Sequence, residues 1–418
     1  MKPSTRQSPD KWRSTLAIVC FAQLFTSTGF SLIFPFLPLY VKSLGSTFNV
    51  GVELASGLVF SVTGITMMIA SPLWGAVADR VGRKPMVLRA TIGGTVLLFL
   101  MGCVQSVEQL LVLRALQGAV TGTIAANNAL VAAVAPRERM GFAMGTLQVS
   151  LWAGVALGPL LGGVLADAFG FAMPFSITAA MLALSSVMIG FGVHENFHAP
   201  VPSNAKKLGL LEQWSHVLHA RGVPTALAMR FMAGLGRTTL VPVAPLFVLA
   251  LLPPNADHTS TYTGLATSLT SASATISGVM LGRYGDRVGH AGVLVLSALF
   301  AASCYLPQVI VQDYGHFLLL QVLAGVGIGG VLSSLSALLA QYTQPGEEGA
   351  VYGLDNAMVS GSQAIAPLVG SLVAVGFGLR GTFALTALLF FCAAFFAYKR
   401  LLRLPTLAQL NVAPAVGD

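Results

Sequence analysis

Long apolar runs fill most of this 418-residue chain, and each is long enough to cross a bilayer as a helix. Hydrophobic residues make up 55% of the sequence and charged residues only 9%, with a mean hydropathy of +0.77. Soluble globular domains carry about 25% charged residues, so this chain cannot cover itself in water. Uninterrupted apolar runs of about 18 residues or more are typical of membrane helices, whereas membrane β-strands are shorter and alternate apolar with polar residues. The sequence therefore predicts an all-α integral membrane protein.

Twelve transmembrane helices are predicted from these runs. They cover residues 15–41, 51–78, 86–106, 108–134, 141–166, 170–193, 223–251, 259–282, 290–311, 315–341, 349–376 and 380–398. Most of the 23 Lys and Arg residues fall in loops on one side of the predicted membrane, and only Lys42 and Arg380 lie opposite. Because positive loops stay in the cytoplasm, both termini are expected there, in a multi-pass protein of the cell (inner) membrane.

The chain also repeats itself at an offset of 207 residues. Pro35 and Pro38 correspond in this way to Pro242 and Pro245, and shared prolines predict shared bends of the backbone. The repeat predicts two pseudo-symmetric six-helix halves. The segments are a tail 1–14, a half 15–193, a linker 194–222 along the membrane surface, a half 223–398 and a tail 399–418. Two such halves around a central site are typical of secondary transporters.

A short charged turn separates the second and third predicted helices, in the sequence Gly75-Ala-Val-Ala-Asp79-Arg80-Val-Gly82-Arg83-Lys84. A second copy, with Asp286 and Arg287, follows the eighth helix at the same offset. Glycines permit a tight turn and close approach, while Asp79 can cap a helix N-terminus and the cations can hold carboxylates. We interpret both copies as a cytoplasmic gate; the alternative is simple anchoring by positive charge, which we assign to Arg89.

This turn resembles the loop motif of the major facilitator superfamily. The stretch Leu113-Arg114-Ala-Leu-Gln117-Gly118 is similar to that family's fourth-helix motif. The fifth helix resembles, position for position, the motif typical of its drug:proton antiporters of the twelve-helix branch. That antiporter motif consists here of Gly145, Gly154, Gly158, Pro159, Gly162 and Gly163. Gly154, Gly158 and Gly162 fall on one face of the helix, which predicts a groove where another helix packs closely. In the second copy Ser362, Ala366 and Ser371 stand at or beside the matching positions, so the close packing is expected to be lost there.

Charged residues inside a membrane are costly and mark functional sites. Asp355 is the one carboxylate placed well inside a predicted helix, with Arg230 expected at a similar depth and Arg237 near the midplane. Burial favours the neutral acid and a neighbouring arginine favours the carboxylate, so Asp355 is the predicted proton-coupling residue. Arg114 shares a face of its predicted helix with Gln117, Gly118, Thr121 and Asn128, at i, i+3/i+4 spacing. The family resemblance implies that Arg114 takes part in proton coupling. The predicted substrate cavity is formed by Gln23, Phe30, Phe34, Gln117, Asn128, Arg230, Arg237 and Asn356.

The sequence and the resemblance together predict a secondary transporter that exports amphiphilic small molecules in exchange for protons by alternating access. The positive interior favours neutral, zwitterionic or anionic substrates over lipophilic cations. A proton-coupled or facilitative uptake carrier for a small metabolite, such as a sugar or organic anion, is the alternative. A membrane enzyme is disfavoured because no nucleotide loop or hydrolytic constellation is present. We expect a monomer that contacts lipid, with no nucleic acid, metal or cofactor and the proton gradient as energy source.

Overall fold

A computed structural model of the protein describes residues 9–45, 50–136, 139–193, 195, 222–253, 258–343 and 348–401. Within these ranges the chain is helical. The helices are α1 Pro9–Leu32, α2 Leu37–Leu44, α3 Val52–Val81, α4 Arg83–Met101, α5 Val107–Val120, α6 Thr123–Val134, α7 Met140–Phe169, α8 Ala172–Gly192, α9 Val223–Thr239, α10 Ala244–Leu251, α11 Thr259–Val288, α12 His290–Tyr305, α13 Tyr314–Tyr342 and α14 Glu348–Arg400. The all-α prediction is confirmed for this part of the chain. Of the predicted surface linker only residues 195 and 222 are described, and residues 1–8 and 402–418 of the predicted tails lie outside the described part, whereas residues 9–14 belong to α1.

Ten segments of the described chain are long and apolar enough to cross a membrane. The last, Gly353–Arg400, is 48 residues long and contains Gly378, whose φ of 75° separates two helices. Helix α11 is not among the ten, although its 30 residues would span about 45 Å; it is rich in serine, threonine and glycine. A multi-pass membrane protein follows from these segments, while the count of twelve helices stays a prediction.

Two predicted helices are each broken into a long and a short piece. Four residues, 33–36, separate α1 from α2, and residues 240–243 separate α9 from α10. Pro35 and Pro242 lie in these breaks, where their missing N–H group suits the end of a helix. The short helix α10 begins and ends 207 residues after α2. The prediction that these prolines mark backbone bends is therefore confirmed.

The fourth predicted helix, 108–134, is also interrupted. Helix α5 ends at Val120 and α6 begins at Thr123, because Gly122 takes a φ of 149°. A break of this kind changes the helical phase, so the i, i+3/i+4 spacing that we used across residues 114–128 does not hold beyond Thr121.

The helices gather into two compact units. One contains Met1–Ala55, Ile65–Ser203 and Asn255–Ser268, and the other contains Ser56–Gly64, Asn204–Pro254 and Leu269–Asp418. In the first unit α1 packs on α7 and α8, and α4 packs on α8. In the second, α14 packs on α9 and α12, and α12 packs on α13. Residues of α3 therefore belong partly to one unit and partly to the other, and the same holds for α11. The predicted boundaries of the two halves stay a prediction.

Aromatic side chains in tilted and edge-on contact fix each short helix in its unit. Tyr40 of α2 packs against Phe171 and Phe175, with ring centroids 5.7 and 5.4 Å away. Phe247 of α10 packs against Phe317 and Phe383 at 5.5 and 4.7 Å. Aromatic contacts of this length stabilise packing beyond the burial of apolar area. They therefore fix the position of each short helix relative to the helices around it.

Candidate functional site

The turn between α3 and α4 depends on a glycine. Gly82 has a φ of 102° and Gly289, between α11 and α12, has a φ of 97°. Residues with a Cβ rarely adopt these angles, so both copies of the predicted gate turn in the same way. Gly75, in contrast, is exposed and no described atom lies within 4 Å of a Cβ built there. The close approach predicted at Gly75 thus has no counterpart among the described residues, and its part in the gate stays a prediction.

A glutamate that we had not singled out occupies the turn. The carboxylate of Glu195 accepts hydrogen bonds from the backbone N–H groups of Arg83, at 2.9 Å, and Lys84, at 2.7 Å. The Lys84 ammonium donates to the carbonyl of Gly190 at 2.7 Å. A carboxylate is thus held in this turn by the backbone at the start of α4, and the predicted binding of carboxylates by the cationic side chains stays a prediction. Arg80 is exposed, and the side chain of Asp79 lies outside the described part.

Replacing Glu195 by glutamine should loosen this turn. The change removes the charge from the N-terminus of α4 and weakens two hydrogen bonds, which we expect to lower the free energy of unfolding by about 1 kcal/mol. The thermal unfolding midpoint in detergent would measure it. Arg80→Gln is the matched control in the same turn; an equal loss in both variants would contradict the assignment.

The second copy of the turn is built differently. Asp286 and His290, four residues apart, form an ion pair of 3.1 Å when the histidine is protonated. The imidazole is buried while the aspartate side chain is 71% exposed. Arg287 is exposed. The role of these residues as a gate stays a prediction.

Buried polar side chains meet between α1, α5 and α6. The Arg114 guanidinium donates to the Gln117 side chain at 3.1 Å, and both residues are buried. Gln23 of α1 accepts a hydrogen bond of 2.7 Å from the amide of Asn127. Asn127 is therefore the partner of Gln23, while the predicted place of Asn128 in the substrate cavity stays a prediction.

The aromatic residues that we assigned to the cavity differ in exposure. Phe30 is half-buried beside Gly94, while Phe34, in the break after α1, is 40% exposed. Their role in substrate binding stays a prediction.

The second unit contains the predicted intramembrane charge pair. Arg230 Nε of α9 lies 3.0 Å from Asp355 Oδ1 of α14, with side-chain exposures of 18% and 13%. The two atoms meet the distance of an ion pair but not the alignment of a hydrogen bond. Arg237, two turns further along α9, is exposed, as is Asn356. No carboxylate of the described residues lies within ion-pair distance of Arg237.

The glycines of α7 bring its backbone against α1. A Cβ at Gly154 would meet Ser27 and the backbone of Thr28, and one at Gly158 would meet Ser31 and the Thr28 carbonyl. At Gly162 it would meet the carbonyl of Leu32. The Ser31 hydroxyl also donates to the Gly154 carbonyl at 3.0 Å. Small residues on one helix face permit this approach, so the predicted helix groove is present and α1 fills it.

The prediction that the second copy loses this packing is wrong. A Cβ at Gly234 of α9 would collide with Ser362 of α14, and one at Gly370 would meet the carbonyl of Thr239. Gly234 lies 207 residues after Ser27, so the glycine has moved to the partner helix while the close approach is kept. The reason is geometric: one missing Cβ per contact is enough, whichever helix lacks it.

Arg89, assigned to anchoring, has a defined contact. Its guanidinium carbon lies 3.6 Å from the centroid of the Trp74 ring, and Trp74 Nε1 donates to the carbonyl of Ala119 at 2.7 Å. A cation over an indole face is attracted by the ring. This contact ties α3, α4 and the end of α5 together, and no spacing in the sequence indicates it.

The fold and these contacts define a class of protein: a helical membrane transporter built of two compact units. The chain matches the Major Facilitator Superfamily over residues 19–251 and again over 226–413. It is 34% identical over 412 residues to multidrug resistance protein MdtG from Salmonella paratyphi A and from Salmonella dublin, with 96% of this chain and 98% of the relatives covered. The chain belongs to the Major Facilitator Superfamily. It is a transporter, not an enzyme, and the resemblance seen in the sequence is confirmed.

Solved structures agree on the fold. A bacterial homolog of the human lysosomal transporter Spinster, in an inward-facing and unoccupied conformation, matches with a TM-score of 0.78 at 12% identity, covering 94% of this chain and 98% of that one. The human organic anion transporter MFSD10 matches with a TM-score of 0.65 at 19% identity, covering 94% and 100%.

Proposed function

We propose that this protein exports amphiphilic small molecules from the cell in exchange for protons by alternating access, as a twelve-helix transporter with cytoplasmic termini. The name of its 34% identical relatives, multidrug resistance protein, supports export and a drug-like substrate. The ion pair of Arg230 and Asp355 is the observation that carries the proton exchange.

This pair links protonation to water access. Arginine keeps its charge at any physiological pH, so protonation of Asp355 leaves a cation in α9 without its carboxylate. A charge without a partner is costly away from water. The protonated state is therefore favoured when Arg230 reaches water or an anionic group of a substrate, and the paired state when it does not.

The charges also bear on the substrate. Arg237 is exposed within a mostly apolar helix, and Arg230 already pairs with Asp355. The positive charge of these two arginines attracts negative groups and repels lipophilic cations. We propose neutral, zwitterionic or anionic amphiphiles as substrates, with Gln23, Gln117 and Asn127 as further polar contacts. Arg114 is proposed to assist proton coupling.

Transport into everted membrane vesicles tests this function. Protein-containing vesicles with an acidic interior should accumulate fluorescent amphiphiles, and a protonophore should abolish the accumulation. Within a panel matched for size, anions and zwitterions should compete better than cations. Movement in the opposite direction would instead establish an uptake carrier, and stronger competition by cations would overturn the proposed charge preference.

A further inference from the structure

Residues 258–268, at the start of α11, lie along the last three turns of α7 in the same compact unit. The Asp167 carboxylate of α7 accepts hydrogen bonds from the backbone N–H groups of Ser260, at 3.2 Å, and Thr261, at 2.7 Å. The Thr261 hydroxyl donates to it at 2.7 Å. The first N–H groups of a helix have no partner inside it, and a carboxylate is favourable at this positive end. Asp167 therefore caps α11.

This cap comes from another helix. Helix α5 is capped by its own Ser106 and α13 by its own Asp313, and such caps move with the helix that they serve. Asp167 is more than ninety residues from its partners in sequence. Separation of α7 from α11 therefore breaks these hydrogen bonds and exposes both the carboxylate and the N–H groups.

A second hydrogen bond closes the other end of the contact. The backbone N–H of Leu160 donates to the Ser268 hydroxyl at 2.9 Å. Leu160 follows Pro159, and an uninterrupted helix would direct its N–H to the carbonyl four residues earlier. The proline disturbs the helical hydrogen bonding next to this residue, and the Leu160 N–H donates across to Ser268 of α11. The proline bend and the contact with α11 are thus connected.

Glycines bring the two backbones together between these hydrogen bonds. A Cβ at Gly163 would collide with the carbonyl of Ser260, and a Cβ at Gly264 with the carbonyl of Pro159. Side chains cannot adjust to relieve such contacts, since backbone atoms form them. The packing therefore depends on a specific alignment of α7 and α11.

A related contact joins α3 and α14 within the second unit. The Leu368 N–H, after Pro367, donates to the Ser61 hydroxyl at 3.1 Å, and Ser61 lies 207 residues before Ser268. The carboxylate is missing from this copy, because Val375 stands 208 residues after Asp167, the same spacing that separates Pro159 from Pro367. The charged cap is therefore specific to α7 and α11.

We propose that Asp167 is a positioning residue for transport. Together with Ser268 it forms an outer latch, defined as the hydrogen bonds from Asp167 to Ser260 and Thr261 and from Leu160 to Ser268. The latch holds the α7 and α11 ends together on the predicted outer side and must break before substrate leaves there. This proposal rests on the alternating access of the proposed function.

Distances between spin labels on the two helices test the latch. Labels at Phe169 and His258, both exposed, report on the α7 and α11 ends in reconstituted protein. Asp167→Asn keeps one acceptor oxygen but loses the charge, and we expect the population with long distances to rise roughly five- to tenfold. Ser268→Ala should shift it in the same direction by a smaller factor, and Asp167→Glu should restore much of the short-distance population.

Asp313→Asn is the matched control. Asp313 is also an aspartate at a helix N-terminus, and the backbone N–H of His316 holds the pKa of its carboxyl below the usual value. Its cap lies within one helix, so the label distances should not change. Unchanged distances in both Asp167→Asn and Ser268→Ala, or an equal rise in Asp313→Asn, would overturn the latch. Transport into vesicles is measured separately. If the unmodified protein does not transport, the proposed function is wrong, whereas the label distances test the latch alone.

Discussion

Replacing Asp355 by asparagine is expected to uncouple transport from the proton gradient. The variant keeps the size and much of the polarity of the side chain but can no longer bind and release a proton next to Arg230. For one proton per substrate and a potential of about 100 mV, the loss is about 2.3 kcal/mol of driving force. This corresponds to an attainable concentration ratio about fiftyfold lower. Accumulation in acid-loaded vesicles measures it, while substrate exchange without a gradient should persist.

A composition-matched variant sharpens this test. Exchanging Asp355 and Asn356 keeps the net charge and the residue content of α14 but turns the carboxylate about 100° around the helix. We expect this double variant to remain uncoupled, whereas Asp313→Asn, on the exposed surface, should transport normally. Full gradient-driven accumulation by Asp355→Asn would show that protons are carried elsewhere.

Replacing Gly162 by alanine should strongly destabilise the packing of α7 on α1. The new methyl group would lie against the carbonyl oxygen and Cα atom of Leu32. A backbone cannot rotate away as a side chain does, so the two helices must separate. Overpacking of this kind costs about 1–3 kcal/mol, which should lower the thermal unfolding midpoint in detergent and the yield of folded protein.

Gly145 supplies the matched control from the same motif. No described atom lies within 4 Å of a Cβ built there, and alanine is favoured over glycine inside a helix by about 1 kcal/mol. Gly145→Ala should therefore be neutral or slightly stabilising. Equal stability of the two variants would mean that the close packing of α7 on α1 is not needed.

Several site features were predictable because they depend on local chemistry. The turns at Gly82 and Gly289 follow from residues that tolerate a positive φ. The breaks after α1 and α9 follow from prolines, and the pairing of Asp355 with an arginine of similar depth follows from the cost of a buried charge. Each inference used a property of the residue itself or of its depth in the membrane.

Other features depended on neighbours distant in sequence. Glu195, Asp167 and Asn127 became visible only when the helices were placed together. The sequence does indicate the contacts of Ser61 and Ser268. These serines are 207 residues apart, and the residue that donates to each of them follows a proline that is also repeated. The helix face predicted to run from Arg114 to Asn128 is continuous only as far as Thr121, because Gly122 interrupts the helix.

By itself, the sequence determined that this chain enters a membrane as helices, where many of them end, and to which family it is related. Apolar length, glycine, proline and charge act over a few residues, so they can be read directly. Only the tertiary structure decided which helix fills the α7 groove, which amide meets Gln23, and that a carboxylate of α7 caps α11. These contacts join residues about a hundred positions apart, and their geometry depends on how whole helices pack.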